Sequence, residues 1–276
     1  MKQLTCLTIA ACASVALSLT AFGGPEPLPS GKEMKQVAPA PEPECFNWAG
    51  FYIGAFGGYK HATVDNNLEA TGDWLLFPDD AATIENHSAH NDDLDANGAE
   101  VGGFIGFNFQ RGCWVFGIEG DGGAVFLRES FDSGTFPMPT ASDKSIQQAF
   151  RTNYLATVGG RIGYAIDRWL PYITGGAAFG NIDYEARLHN VSSSGAGFYR
   201  SAGREDEDNI GWFVGGGMQY ALTAHWGIRF QYEFVDLGEV SFDRPGEPIG
   251  VFDFFSTHNR AELHEHNCSF ALMYKF

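Results

Sequence analysis

Apolar and polar residues alternate with period two in eight segments of the chain, at about residues 48–60, 99–110, 113–125, 150–166, 169–185, 209–222, 226–240 and 260–276. Such alternation sorts side chains onto the two faces of a β-strand. In the seventh segment Ile228, Phe230, Tyr232 and Phe234 alternate with Arg229, Gln231 and Glu233. In the third, Trp114, Phe116 and Ile118 alternate with Val115, Gly117 and Glu119, and in the second Val101, Ile105, Phe107 and Phe109 oppose Asn108 and Gln110. The last segment holds Phe270, Leu272, Tyr274 and Phe276 on one face against Ser269, Ala271, Met273 and Lys275. A soluble sandwich buries its apolar face and rarely ends on it, whereas a barrel in an outer membrane turns that face to lipid.

The spacers alternate too. Between the second and third, fourth and fifth, and sixth and seventh segments they are only Arg111-Gly112, Asp167-Arg168 and Thr223-Ala224-His225. The other four connections are long, polar and carry Gly or Pro, the first running from about His61 to Gly98. Short turns on the periplasmic side and long loops outside are how outer-membrane barrels are organised. An even strand count leaves both ends of the barrel on the short-turn side. The expected fold is therefore all-β, a closed eight-stranded antiparallel transmembrane barrel. Trp48, Trp114, Trp169 and Trp226 each open an odd-numbered segment, which predicts one aromatic girdle at the periplasmic interface.

The segments before the barrel fit export. Met1-Lys2 and the apolar run up to Phe22 read as a signal peptide over residues 1–22, with a small-residue exit near Ala21. A membrane anchor is the competing reading, and Ile9-Ala10-Ala11-Cys12 resembles a lipoprotein cleavage box but sits too early in the run. Residues 23–46 carry Pro25, Pro27, Pro29, Pro39, Pro41 and Pro43 among charged and small residues, the composition of an extended periplasmic linker. Residues 47–276 are then the barrel. The formal charge of -17 argues against nucleic acid or anionic lipid as a partner. Acidity gathers in the long connections, as at Asn91-Asp92-Asp93-Leu94-Asp95 and Arg204-Glu205-Asp206-Glu207-Asp208.

Several stretches resemble the small porin-like outer-membrane surface antigens related to opacity proteins and to the OmpA-like barrel. They are Trp48-Ala-Gly-Phe-Tyr-Ile-Gly54, Trp114-Val-Phe-Gly-Ile-Glu-Gly-Asp121, Gly160-Arg-Ile-Gly-Tyr-Ala165, Leu170-Pro-Tyr-Ile-Thr-Gly-Gly-Ala-Ala-Phe-Gly180, Gly211-Trp212 with Gln219-Tyr-Ala-Leu222, and Phe234-Val-Asp-Leu-Gly238. The resemblance covers nearly the whole barrel and leaves out the long loops. It implies an eight-stranded barrel placed in the outer membrane of a Gram-negative-type bacterium by the insertion machinery, which reads the terminal aromatic strand, here Tyr274 and Phe276. The Pro-rich linker, Cys45, Cys113 and the long first loop depart from the family pattern.

Candidate chemistry lies mainly inside. Glu119, Arg161, Arg229 and Glu233 fall on the lumen face by parity, Glu119 and Arg161 at similar height on neighbouring strands. Buried charge persists when it is paired and hydrogen-bonded, and an eight-stranded barrel is only wide enough for side chains to fill. The expectation is a lumen plugged by charged side chains in a non-enzymatic, envelope-structural and surface-exposed protein. The alternative is a narrow porin-like channel for small solutes, with the two arginines facing the two glutamates.

Asp93, Asp95 and Asn97 before Gly98 resemble the start of a calcium loop, but the twelfth position is Phe104 rather than an acid. His264 and His266 share one face of the last strand, near its outer end, with no third ligand evident from sequence. They also invite a lipid-hydrolase reading, for which no serine stands in a recognisable motif. No metal or cofactor is therefore expected. Cys45 and Cys113 lie at the same rim of neighbouring strands, and an oxidising periplasm predicts a disulfide between them. Cys268 faces lipid by parity and stays out of that bridge. Expected partners are outer-membrane lipid or lipopolysaccharide and the insertion machinery, with the barrel itself a monomer.

Overall fold

In the computed structural model the described residues are 45–88, 95–139, 143–190, 200–245 and 255–276. The chain divides into two units, Met1–Glu42 and Pro43–Phe276, and every described residue belongs to the second. The signal-peptide assignment lies outside the described residues, as does all of the linker assignment except Cys45 and Phe46.

Eight strands form the barrel wall: β1 (Gly50–Gly72), β2 (Ala96–Arg111), β3 (Trp114–Phe136), β4 (Lys144–Tyr164), β5 (Trp169–Asn190), β6 (Arg200–Ala221), β7 (Trp226–Pro245) and β8 (Phe255–Lys275). Each is antiparallel to the next, and β1 pairs with β8 from Tyr52↔Lys275 to Gly72↔Phe255, closing the ring. The fold is an all-β, closed eight-stranded antiparallel barrel.

The strands run further than the hydrophobic alternation marks. β1 has 23 residues and β2 has 16, against about 9–11 for a tilted crossing of the hydrocarbon. Residues 61–72, read as loop from sequence, continue β1. The reason lies in which face is apolar. Up to Tyr59 the outward positions of β1 are Phe51, Ile53, Ala55, Gly57 and Tyr59, and beyond it they are His61, Thr63, Asp65, Asn67 and Glu69. Over that upper stretch the inward positions become apolar, with Ala62, Val64, Leu68 and Ala70 buried. Period two persists while the apolar face changes sides, because the outward face has left lipid for water.

The interior is layered accordingly. Trp48, Tyr52, Phe56, Phe104, Val115, Leu170 and Met273 cluster toward the short-turn end. Val64, Val125, Leu127, Phe150, Ile182, Phe213 and Leu263 pack together in the extended half. Above them a third cluster joins Leu68, Phe136, Met138, Ile146 and Leu188 to Trp74, Ala81 and Ile84. Those last three come from a 3-10 turn (Asp73–Leu76) and a short helix α1 (Pro78–His87) in the first long connection. Pro78 opens α1 where no intrahelical donor is needed, and the Asp79 and Asp80 carboxylates suit its first turn.

The outward face predicts where charge is tolerated. Val158 is exposed on β4 between the outward aromatics Tyr154 and Tyr164, near the middle of the apolar belt. Val158→Arg is expected to cost about 2–4 kcal/mol of folding free energy in a bilayer, and Thr63→Arg, beyond the belt, about 0–1 kcal/mol. Urea unfolding of the refolded variants in lipid vesicles measures both.

Candidate functional site

The short-turn rim carries three cross-strand aromatic pairs. Trp114 opposes Tyr164, Trp169 opposes Tyr220 and Trp226 opposes Tyr274, with ring centroids 5.1, 4.6 and 5.1 Å apart. The three indoles are 51, 48 and 46 % exposed on the outward face, whereas Trp48 is 2 % exposed. Trp48 is thus not in the girdle. It precedes β1 in phase with the inward Tyr52 and Phe56, so parity puts it on the lumen side. The chain before Gly50 turns in against the base of the barrel instead. Trp48 N donates to Gln110 Oε1 at 2.7 Å, and Asn108 Nδ2 donates to the Trp48 carbonyl at 3.1 Å. The outward aromatics of β1 and β2 at that level are Phe51 and Phe107, 4.7 Å apart.

Cys45 and Cys113 are joined by a disulfide with Cα atoms 5.6 Å apart. Phe46 N donates to the Asp167 carbonyl, and Lys275 Nζ donates to the Asn47 carbonyl. Residues assigned to the linker therefore continue into the barrel base. Tyr274 and Phe276 lie edge to face at 5.2 Å, and Phe276 N donates to Phe51 O.

Within the lumen, Glu119 on β3 forks between two arginines. Its Oε2 is 3.2 Å from Arg161 Nη1 and its Oε1 is 2.5 Å from Arg229 Nη1. Arg161 stands on β4, next to β3; Arg229 stands on β7, across the ring. The Tyr52 hydroxyl donates to Glu119 Oε2 at 2.7 Å, a position open to the phenol because Gly106 has no Cβ to overlap it. Arg161 also donates to Asn108 Oδ1 at 3.1 Å and Gln219 Oε1 at 3.3 Å. Its guanidinium lies between the Tyr52 and Tyr172 rings, 4.7 and 5.1 Å from their centroids. Arg229 lies 3.8 Å from the Phe104 centroid. Glu233 accepts from Gln231 Nε2 at 2.6 Å rather than pairing directly with an arginine, and Gln231 accepts from the Tyr172 hydroxyl. A cavity of about 10 Å³ remains beside Phe56, Glu100, Asp121, Arg229 and Glu233, room for about one water.

Sequence reasoning missed a second charged layer. Lys60 is fully buried, with its Nζ 3.2 Å from Glu100 Oε2 and 3.0 Å from Glu265 Oε2. These residues come from β1, β2 and β8, three strands that adjoin across the closure. Parity places all three inward, so the signal was available: Lys60 follows Tyr52 and Phe56 in phase, and Glu100 precedes Phe104 and Asn108 in phase.

The metal candidates fare differently. Asp93 lies outside the described residues. Asn97 and Gly98 belong to β2, opposite His61 and Lys60, so Gly98 forms no loop turn as a calcium loop requires. Asn97 Oδ1 instead meets the Tyr59 hydroxyl and His61 Nδ1. Asp95 directly precedes β2. His264 and His266 both face outward on β8. His266 Nδ1 is 2.7 Å from the Tyr232 hydroxyl and its ring stacks on His61, while His264 stands among carboxylates. Cys268, also outward, is half-buried.

A ring of antiparallel strands with an apolar outer belt and a charged lumen defines an outer-membrane β-barrel protein. The chain belongs to the outer membrane protein beta-barrel domain family, whose profile matches residues 37–276. It is 27 % identical over 255 residues to the 25 kDa outer-membrane immunogenic protein of Brucella abortus, covering 90 % of this chain and 92 % of that one. The 31 kDa outer-membrane immunogenic protein of Brucella melitensis is 25 % identical over 244 residues, covering 87 % and 88 %. Among solved structures, the outer membrane protein OprG of Pseudomonas aeruginosa aligns with a TM-score of 0.40 and 13 % identity, over 83 % of this chain and 96 % of that one. The protein resides in the outer membrane of a Gram-negative-type bacterium.

Two expectations follow from this geometry. Lys60→Met leaves two buried carboxylates facing each other without their cation and should cost about 3–5 kcal/mol. Adding Glu100→Gln and Glu265→Gln should recover most of it, as read from urea unfolding of the single and the triple variant. Peptide mapping without reductant should recover Cys45 and Cys113 in one linked species from oxidised protein, and separate alkylated peptides would contradict the bridge.

Proposed function

We propose that this is a non-enzymatic outer-membrane protein with an envelope-structural, surface-exposed role, its lumen plugged by charged side chains. The observation that carries this reading is the Arg229–Glu119–Arg161 bridge. β3 and β7 stand four strands apart in a ring of eight, so the 2.5 Å contact between Glu119 and Arg229 spans the lumen from wall to wall. Lys60 with Glu100 and Glu265 adds a second polar layer, and apolar clusters lie toward either end. Each lumen charge so engaged holds its partners in place, and an eight-stranded ring has little width to spare.

The surface role draws on the relatives, which are named as immunogenic outer-membrane proteins. Strands that continue beyond the apolar belt carry the long connections away from the lipid surface, where other molecules meet them. The partners proposed are the surrounding lipid and lipopolysaccharide and the insertion machinery that reads the β8 aromatics. The barrel is proposed to act as a monomer, consistent with a ring that leaves no strand edge to share.

Planar-bilayer recording of the refolded barrel tests the plug. Wild type should be electrically silent, while Glu119→Ala and Arg161→Ala, each freeing a charge in the lumen, should leak. Steady ion-selective current through wild type, altered in selectivity by these substitutions, would make the protein a narrow channel and overturn the proposal.

A further inference from the structure

On the outward wall, beyond the apolar belt, β7, β8 and β1 bring six ionisable groups together: Asp65, Asp236, Glu239, Arg260, Glu262 and His264. Asp65 stands directly opposite Glu262 in the β1–β8 ladder, and Glu262 stands opposite Glu239 in the β7–β8 ladder. Like charges directly opposite each other destabilise an antiparallel pair. Glu239 is relieved by Arg260, whose Nε lies 2.9 Å from its carboxylate. Among the described residues neither Asp65 nor Glu262 meets a lysine or an arginine. The group that approaches Asp65 is His264, with Nε2 3.9 Å from Asp65 Oδ2. One donor atom each from Asp65, Glu262 and His264 lies within 4.8 Å of the other two.

The imidazole stands between two carboxylates. His264 opposes Asp236 across the β7–β8 ladder, and its Nδ1 is 4.0 Å from Asp236 Oδ2. That nitrogen is shielded from solvent and makes no hydrogen bond. Asp236 is itself fixed, because its Oδ1 accepts from the Gly238 amide at 2.8 Å in the bulge where Gly238 takes φ 75°. The Phe234 ring lies alongside the imidazole at 5.9 Å and 22°. A ligating histidine commonly turns its second nitrogen to a carboxylate, which sets the tautomer and raises the basicity of the first. Here Asp236 is the carboxylate beside that second nitrogen, and Nε2 faces Asp65. Two donors about 2.1 Å from one tetrahedral ion stand about 3.4 Å apart, so closing the present spacing by up to about 1.4 Å would make it a ligating one.

We propose that Asp65, Glu262 and His264 bind a divalent transition metal of the zinc type on the outer wall of the barrel, with Asp236 as the positioning residue for the imidazole. One imidazole nitrogen and two carboxylate oxygens form a mixed donor set of the kind such ions accept, and three protein ligands leave a coordination position open toward solvent. The ion would also remove the repulsion between Asp65 and Glu262.

Zinc titration into the untagged, refolded barrel in detergent, followed by calorimetry and by competition with a chromophoric chelator, tests the site. All substitutions point outward beyond the belt, and circular dichroism checks that each variant folds. One zinc per chain is expected, with His264→Ala and Glu262→Gln each weakening it at least about tenfold and Asp236→Asn weakening it about 10–100-fold. His266→Ala, whose ring is engaged by Tyr232, should leave the affinity unchanged. Absence of stoichiometric zinc uptake, equal uptake by His264→Ala, or displacement of zinc by equimolar calcium would each overturn the proposal.

Discussion

The pairing of β1 with β8 is the contact on which the remaining structure depends, because a sheet edge inside hydrocarbon would leave amides and carbonyls with no partner at several kcal/mol each. The ladder runs unbroken from Tyr52↔Lys275 to Gly72↔Phe255. Once it forms, every strand has two neighbours and the outward face is free to be wholly apolar. Closure also brings side chains distant in sequence to one place. Lys60 and Glu265 are 205 residues apart and meet only because the ring is shut, and the same holds for Asp65 and Glu262.

Closure at eight strands fixes the width of the interior, and width decides what its side chains can be. A narrow ring lets a glutamate on β3 reach an arginine on β7, so Glu119, Arg161 and Arg229 meet one another across the interior. Aromatic rings and glycines share out the remaining space. Gly106 makes room for Tyr52, and Gly217 for Tyr172, since a Cβ at either would overlap the phenol. The glycine-rich, aromatic-rich composition is thus matched position by position to the wall, and the tyrosine hydroxyls so admitted become part of the Glu119 and Gln231 contacts.

How much was legible beforehand follows from the range of each interaction. The fold class, the strand count and the side on which each turn lies were readable, because period-two alternation and spacer length are local. Strand ends were not. The alternation was traced by an apolar outward face, which stops at Tyr59, whereas the hydrogen-bonded ladder continues to Gly72 with its apolar residues turned inward. Shared position at the head of a segment misplaces Trp48, whereas its phase with the inward Tyr52 and Phe56 puts it on the lumen side. Glu119 and Arg161 were readable as neighbours from their offsets to Trp114 and Ile166. Arg229 was readable as a lumen charge but not as the direct partner of Glu119, since nothing local sets the height of β7 against β3. Asp65 and Glu262 needed the β1–β8 register, which only closure supplies.

The disulfide between Cys45 and Cys113 also alters how the barrel would carry mechanical load. A pull on the residues before Cys45 would otherwise be delivered to β1 alone. With the bridge in place, the force passes through Cys113 into the hairpin that joins β2 and β3, and is divided over two strands. Those strands are loaded along their length, in shear, where many ladder hydrogen bonds must fail together. The covalent link thus spreads an outside pull over three strands instead of one.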